Sequence, residues 1–376
     1  MSPTRFFATC GRGIEPALAD ELRALGALEI ACGRGGVSFA GNRTLLYRAN
    51  LWLRTAVRVL QPILEVAVTT PDDLYEAVRS LDWSQYMTPA HTLAVDSNVR
   101  DSHITHSKYA ALRTKDAICD QFMERVGQRP SVDVSEPMIG LNLHIYRDQA
   151  VLSLDSSGAS LHKRGYRPIQ TKAPLNEALA AALNLFSGWS GDTAFVDPLC
   201  GSGTLPIEAA WIAMRRPPGL TRKRFGFQGW MDFDVGLWTE LRDEARRDMR
   251  KELSAPIVGA DVRGDAIGHA IRNSRAAGIG HLIQFRVLDF RNLPPPGVPG
   301  TLLCNPPYGE RIGTEAELVG LYSSLGEVLR ERWRGWQAYV FTGNPRLAAR
   351  LRMAPIAERA LFNGKIPCRL LRFQLS

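Results

Sequence analysis

Asn305-Pro306-Pro307-Tyr308 is a stretch whose residue types could do chemistry together. The Asn305 side-chain oxygen and the Pro306 main-chain carbonyl are two acceptors that can point at one NH₂ group. Tyr308 adds a flat face on which a planar ring can stack. An apolar run, Thr301-Leu302-Leu303-Cys304, leads in and reads as the end of a buried strand. Two prolines then forbid strand pairing and helix. Such a stop leaves Asn305 at the carboxyl end of a sheet, where open α/β folds bind ligands. The group suits an exocyclic amine on a base or an amide. The plainer alternative is a proline-rich turn after a strand.

A second set of residues could hold a cofactor. Ala194-Phe195-Val196-Asp197 is a β-rich run ending in a carboxylate, followed by Pro198, Leu199, Cys200, Gly201, Ser202, Gly203 and Thr204. An apolar helix is predicted over Leu205 to Met214. Glycines here permit a tight turn and close approach of the backbone to a ligand. A phosphate-binding loop would need Lys and then Ser or Thr after the last glycine; Thr204 follows directly, which excludes it. Pro256 to Asp261 reads as a strand ending in a second acid. Asp261 can accept from both hydroxyls of a ribose, or cap the helix predicted over Asp265 to Ala277. Ile283 to Phe290 is a third strand with a third acid, Asp289, which read alone is a turn residue.

Both sets resemble known motifs. The loop resembles the Asp-Pro-x-Cys-Gly-Ser-Gly-Thr form of the S-adenosylmethionine loop. Asn305 to Tyr308 resembles the Asn-Pro-Pro-Tyr motif of class I S-adenosylmethionine-dependent methyltransferases acting on planar NH₂ groups. The resemblance implies S-adenosylmethionine held by Asp197, Pro198, Cys200, Gly201, Ser202, Gly203, Thr204, Asp261, Asp289, Phe290 and Asn305. Asp289 would accept from the adenine amine, and Phe290 would line its pocket. Asn305, Pro306 and Tyr308 would be catalytic. Cys200 and Cys304 lack the Pro-Cys context of cytosine-C5 enzymes, so no covalent step is expected.

The elements that must position these groups follow from the pattern. Helical stretches between the runs ending in Asp197, Asp261, Asp289 and Asn305 imply a doubly wound, mostly parallel sheet. A closing antiparallel hairpin is expected at Phe362 to Leu371 around an Asn363-Gly364 turn. This gives an α/β, Rossmann-like methyltransferase domain over 161–376, with a basic insertion at about 214–255. A helix is predicted from Pro174 to Leu183, and a charged one from Glu240 to Leu253.

Upstream, residues 1–60 read as a small α+β module. Its strands are predicted at Phe6 to Thr9 and Gly36 to Phe39. Residues 61–160 repeat the mixed character. Strands are predicted at Ile63 to Val68 and Thr92 to Asp96, and a long helix over Lys108 to Val126 with Ile118, Phe122 and Val126 on one stripe. Leu141 to Ile145 and Ala150 to Leu154 should pair as a hairpin. This order resembles a ferredoxin-like domain followed by a THUMP domain, a module that binds RNA in known families. The resemblance extends over nearly the whole chain to RlmL-type 23S rRNA guanine-N2 methyltransferases.

Lys and Arg exceed Asp and Glu by 46 − 38 = 8 in 376 residues, which favours an anionic partner. The candidate RNA contacts are Lys108, Arg113, Lys115, Arg164, Arg222, Lys223, Arg224 and Lys365. Those near the long helix could equally be a solvated face. In the insertion, the cations interleave with Phe225, Phe227 and Trp230. They could grip RNA and stack bases, or the aromatics could pack on the core. The expected partner is RNA, 23S rRNA or alternatively tRNA. A non-catalytic RNA-binding assembly factor is the alternative from another class. The RNA-binding-like module speaks against DNA adenine and protein glutamine as targets.

The 6 cysteines are scattered, and neither they nor the 7 histidines show metal-ligand spacing, so no metal and a reducing compartment are expected. Residues 1–12 lack an apolar signal core, and no run approaches bilayer length. A cytoplasmic monomer, without the second methyltransferase domain some family members carry, is expected.

Overall fold

The computed structural model describes residues 3–167, 175–309 and 314–376. The expected start of a helix at Pro174 lies outside these residues.

The first module comprises β1 (Thr4–Cys10), α1 (Glu15–Ala24), β2 (Leu28–Gly33), β3 (Gly36–Gly41) and α2 (Arg43–Trp52). β4 (Ala56–Ala67) carries the chain into the second: α3 (Pro71–Ser80), β5 (Thr92–Arg100), α4 (Ser107–Val126), β6 (Ser131–Val132), β7 (Ile139–Tyr146) and β8 (Gln149–Asp155). β4 pairs with β1 on one side and β8 on the other, so both modules share one eight-stranded sheet, β2-β3-β1-β4-β8-β7-β5-β6. The sequence reading divides the two modules at about residue 60, within this strand. In the structure, Pro62 sits where the β4–β8 register shifts, a bulge that tolerates its missing N–H.

Leu18, Leu22, Leu45, Leu46 and Ala49 pack on Phe6, Ala8, Val37 and Phe39 to form the first module's core. Ile118 and Phe122 of α4 join Leu74, Val78, Leu93 and Leu141 in the second. Val126, expected on the same stripe, is 61% exposed in the last turn, just before Gly127 ends the helix with φ +68°.

The third module runs α5 (Glu177–Phe186), β9 (Phe195–Asp197), α6 (Thr204–Ala213), α7 (Val235–Arg247), β10 (Ile257–Asp261), α8 (Gly264–Ala276), β11 (Ile283–Val287), β12 (Thr301–Cys304), α9 (Glu315–Arg332), β13 (Gln337–Thr342), α10 (Pro345–Ala349), β14 (Ala357–Asn363) and β15 (Ile366–Gln374). Its seven strands are ordered β11-β10-β9-β12-β13-β15-β14. The first five are parallel, and β15 runs antiparallel to β13 and β14. From β9 the chain goes outward to β10 and β11, then returns to the other flank for β12 and β13. The order therefore reverses between β9 and β12, the position at whose carboxyl edge open α/β sheets bind ligands.

Several boundaries differ from expectation: β5 runs on to Arg100, β11 stops at Val287 short of Asp289, and α7 ends at Arg247 instead of Leu253. α7 starts before the charged run, because Asp234 caps it by accepting from Leu237 N at 2.9 Å. In the closing hairpin, Asn363 pairs with Ile366, so the loop is Gly364-Lys365 and Asn363 belongs to the strand. Gly364 takes the left-handed conformation, φ +62°, that the turn requires. Among the described residues no helix is long and apolar enough to cross a membrane.

Candidate active site

β9 and β10 end side by side, Gly259 opposite Asp197. The chain leaves β9 through the glycine loop, in which Gly201 and Gly203 have φ +53° and +83°. At Gly203 a Cβ would meet Ala270 Cβ at 2.9 Å and the Phe285 ring at 3.0 Å, so this glycine lets α8 and β11 close in. At Gly201 nothing lies within 4 Å of that position, so the loop is open on this side. Gly203 caps α6 without a side-chain acceptor. The first N–H groups of that helix, the positive end of its dipole, therefore lack a side-chain partner.

Asp261 ties this loop to the end of β10. Its Oδ2 accepts from Gly201 N at 3.0 Å and its Oδ1 from Arg263 N at 2.9 Å. It does not cap α8, whose N-cap is Arg263 with no side-chain bond. Each carboxylate oxygen keeps a lone pair for a hydroxyl donor. Asp197 is only 1% exposed and lies beneath the loop, accepting from Leu199 N at 3.1 Å. Burial pushes its carboxyl well above the usual range, and the Asp261 charge adds to this.

Asp289 lies two residues beyond β11 and behaves as the turn residue its position suggests. It accepts from Arg291 N at 2.9 Å and is gripped by the Arg291 side chain at 2.6 Å, which lowers its pKa. Phe290 is buried and packs with Val258, Ala260 and Leu302.

Asn305 follows β12 directly. Its Oδ1 is buried and has no hydrogen-bond partner among the described residues. An acceptor left unmet in this way costs about 1–3 kcal/mol. Tyr308 is half-buried. Its hydroxyl accepts from Asn363 Nδ2 at 2.8 Å, and the Cys368 thiol lies 3.6 Å from the same oxygen. Burial raises the phenol pKa, so the ring stays neutral. Sequence reasoning missed Asn363 because Asn-Gly reads as a turn. Burial also pushes the thiols of Cys200 and Cys304 up, which disfavours their thiolate forms.

The structure divides the predicted RNA contacts. Lys108, Lys223, Arg224 and Lys365 are exposed. Arg113 is half-buried, lying 4.4 Å over the Tyr75 ring and paired with Asp72 at 2.6 Å; Lys115 pairs with Asp116 at 2.6 Å. Two expectations are corrected. Arg164 is 1% exposed; it donates to Leu161 O and Arg54 O and faces Glu208 at 3.6 Å. Arg222 donates to Ser157 O, Ala159 O and Ser160 O, and burial pulls its pKa down to about 10. Both brace residues 156–167, the connector between the second and third modules, Arg164 from a buried and Arg222 from a half-buried position.

The insertion is corrected likewise. Phe225 and Phe227 are buried against Tyr47 of α2, the Tyr47 and Phe227 rings stacked at 4.3 Å. Ion pairs Arg43–Asp232 at 2.7 Å and Arg48–Glu244 at 2.9 Å flank them. The segment clasps the third module onto the first. The aromatics that could have met bases are spent on this contact, and only Lys223 and Arg224 of its central cations remain outside it.

Comparison with known proteins places this geometry. The model of the RMKL-like methyltransferase domain matches residues 164–372. The chain belongs to this methyltransferase family. The THUMP domain model matches residues 68–155 and the RlmL ferredoxin-like domain model residues 5–60. The chain is 50% identical, over 385 residues, to the ribosomal RNA large subunit methyltransferase K/L of Syntrophotalea carbinolica, covering 100% of this chain and 54% of that protein. It is 42% identical to slr0064 of Synechocystis sp., named as a candidate RNA methyltransferase, over 98% of this chain and 96% of that one. The chain thus spans about half the length of the K/L relatives. The crystal structure of SMU.472 complexed with SAH superposes with a TM-score of 0.92 at 30% identity, covering 100% of this chain and 99% of the other. The three-module architecture and class I methyltransferase fold are those of the family.

Proposed function

We propose that this chain transfers a methyl group from S-adenosylmethionine to the N2 amine of a guanosine in 23S rRNA. The observation that carries the reading is the buried Asn305 Oδ1, unpartnered among the described residues, one residue from the Pro306 carbonyl at the carboxyl edge beside the glycine loop. The names of the K/L relatives and the SAH held by SMU.472 support it.

The residues fit the cofactor. The open side of Gly201 leaves room for it, the uncapped start of α6 favours its carboxylate, and Asp261 keeps lone pairs for its ribose. When bound, it supplies a methyl carbon whose bond to sulfur breaks as the bond to the amine nitrogen forms. Asn305 Oδ1 and the Pro306 carbonyl accept the two amine hydrogens. They hold the nitrogen lone pair on line and stabilise the positive charge that grows there. Tyr308 stacks on the base after it swings out of its helix. Extrusion costs a few kcal/mol, offset by stacking worth about 1–3 kcal/mol. The methylated amine releases its proton to water, so no strong base is required.

The test is incubation with labelled S-adenosylmethionine and undermethylated 23S rRNA or tRNA, followed by mass spectrometry of nucleosides. N2-methylguanosine in the 23S rRNA is expected. The label in tRNA alone, or on adenosine, would overturn the assignment.

A further inference from the structure

We propose that Asn363 is a positioning residue for the reaction, fixing the Tyr308 ring against which the target base lies. This rests on the reading of Asn305 to Tyr308 as the target pocket. Residues 305–308 have no regular secondary structure. Two prolines precede Tyr308, so no ladder or helix orients its side chain. Orientation falls to contacts on the side chain, and four residues supply them. Asn363 Nδ2 donates to the hydroxyl at 2.8 Å, with the Cys368 thiol 3.6 Å from the same oxygen. Phe341 meets the ring edge-on, centroids 6.3 Å apart at 87°. Gly343 provides the floor: a Cβ there would come within 2.8 Å of Tyr308 Cε2.

Asn363 and Cys368 act on the far end of the side chain, and the Asn363 amide is the closer and stronger donor of the two. Rotation about the Cα–Cβ bond swings the hydroxyl through the widest arc, and a bond at that atom resists it most. The donor is itself held. Asn363 is the last residue of β14, opposite Ile366, in a hairpin continuous with β15 and β13. The outer flank of the sheet thus reaches across to the loop after β12 and sets a ring that its own backbone leaves loose.

The test is a double-mutant cycle on methyl transfer to undermethylated 23S rRNA. Asn363→Ala is expected to lower kcat by about 10- to 100-fold, the scale of a misplacement of about 1 Å. KM for RNA and S-adenosylmethionine affinity by calorimetry should change little. Tyr308→Phe should show a comparable loss, and Asn363→Ala on that background should add nothing. Gly343→Ala, which displaces the ring without touching Asn363, should mimic Asn363→Ala and keeps the test open if the latter misfolds. Equal losses from Asn363→Ala in both backgrounds, or full activity of either Asn363→Ala or Tyr308→Phe, overturn the proposal. Full activity of Tyr308→Ala would instead show that the pocket reading itself has failed.

Discussion

Arg12 of the first module lies over the ring of Phe362, its guanidinium carbon 4.6 Å from the centroid. Phe362 precedes Asn363, so the amino-terminal module abuts the strand that holds the Tyr308 hydroxyl. Gly13 makes the approach possible. Its φ is +88°, and a Cβ would lie 2.7 Å from Ala360 O and 3.3 Å from Leu361 Cα. Gly13→Ala is expected to cost at least the ~1–2 kcal/mol of a left-handed backbone, because backbone atoms cannot yield as a side chain would. Arg12→Ala removes only a solvent-edge cation–π contact, about 0.5–1 kcal/mol. Urea titrations read both, and a Gly13→Ala midpoint equal to wild type would sink the close-packing account.

Asn305→Ala should remove the buried acceptor that has no partner among the described residues. By analogy with loss of one oxyanion-hole donor, methyl transfer is expected to fall about 10²- to 10³-fold. Cofactor affinity should persist, since the loop at Gly201 and its tether Asp261 are untouched. Asp261→Ala has the opposite profile. Losing both the tether and the ribose acceptor, it should weaken cofactor binding measured by calorimetry. Wild-type turnover by Asn305→Ala would rule out the amine-holding role.

Glu208 of α6 is fully buried, facing Arg164 Nε at 3.6 Å and accepting from Tyr166 at 3.0 Å. Arg54 of the first module donates to Trp211 O at 3.2 Å in the last turn of the same helix and to Arg216 O at 2.9 Å beyond it. Arg164 therefore faces the Glu208 carboxylate directly, and the charge of that carboxylate also favours the buried Arg54 cation from farther away. Glu208→Ala should strand Arg164 and cost about 3–5 kcal/mol, with the first module loosening from the third. Chemical denaturation combined with limited proteolysis at the connector checks this. A variant as stable as wild type would show that water satisfies Arg164 instead.

Much of the site is legible in the sequence because its residues sit where strands stop. Asp197, Asp261 and Asn305 fall at strand ends because an acid, a glycine or a proline interrupts an apolar run, and a single sequence records that. Tertiary partners are not recorded. Arg164 and Arg222 look like solvated cations until the carbonyls they meet are known. Phe225 and Phe227 have the composition of a stacking surface, but their partner Tyr47 is far away in sequence. β2 was invisible for another reason: it is an edge strand with little burial, so it lacks the alternation that marks the others. Asn363 was visible only as turn chemistry, and a register one residue later placed it in the strand.

The cations left exposed give a salt-dependence test. Lys108, Lys223, Arg224 and Lys365 are exposed. Each one that neutralises a phosphate on single-stranded RNA should contribute about 0.7 to the slope of log affinity against log salt. Replacing Lys223 and Arg224 together by Gln should reduce the slope by up to about 1.4, without lowering the melting temperature. An unchanged slope would remove the insertion from the RNA surface. Arg222→Gln should do the reverse, lowering stability first.

His162 gives a pH signature of the connector between modules. Burial, and then the charges of Arg164 and Lys163, push its pKa down from 6.5 to about 4. The folded protein thus keeps the ring neutral where the unfolded chain protonates it. Between pH 6.5 and about 4 the unfolded state binds more protons, so this group's contribution falls as pH drops through that window and is level on either side. Buried acids such as Glu21 and Glu177, whose pKa values are raised, slope the other way. The readout is therefore the difference between His162→Gln and wild type. The variant should lose less stability on acidification, as measured by urea midpoints across the window. Parallel curves would mean that His162 is solvated in the folded protein and that the connector is looser than its buried guanidiniums imply.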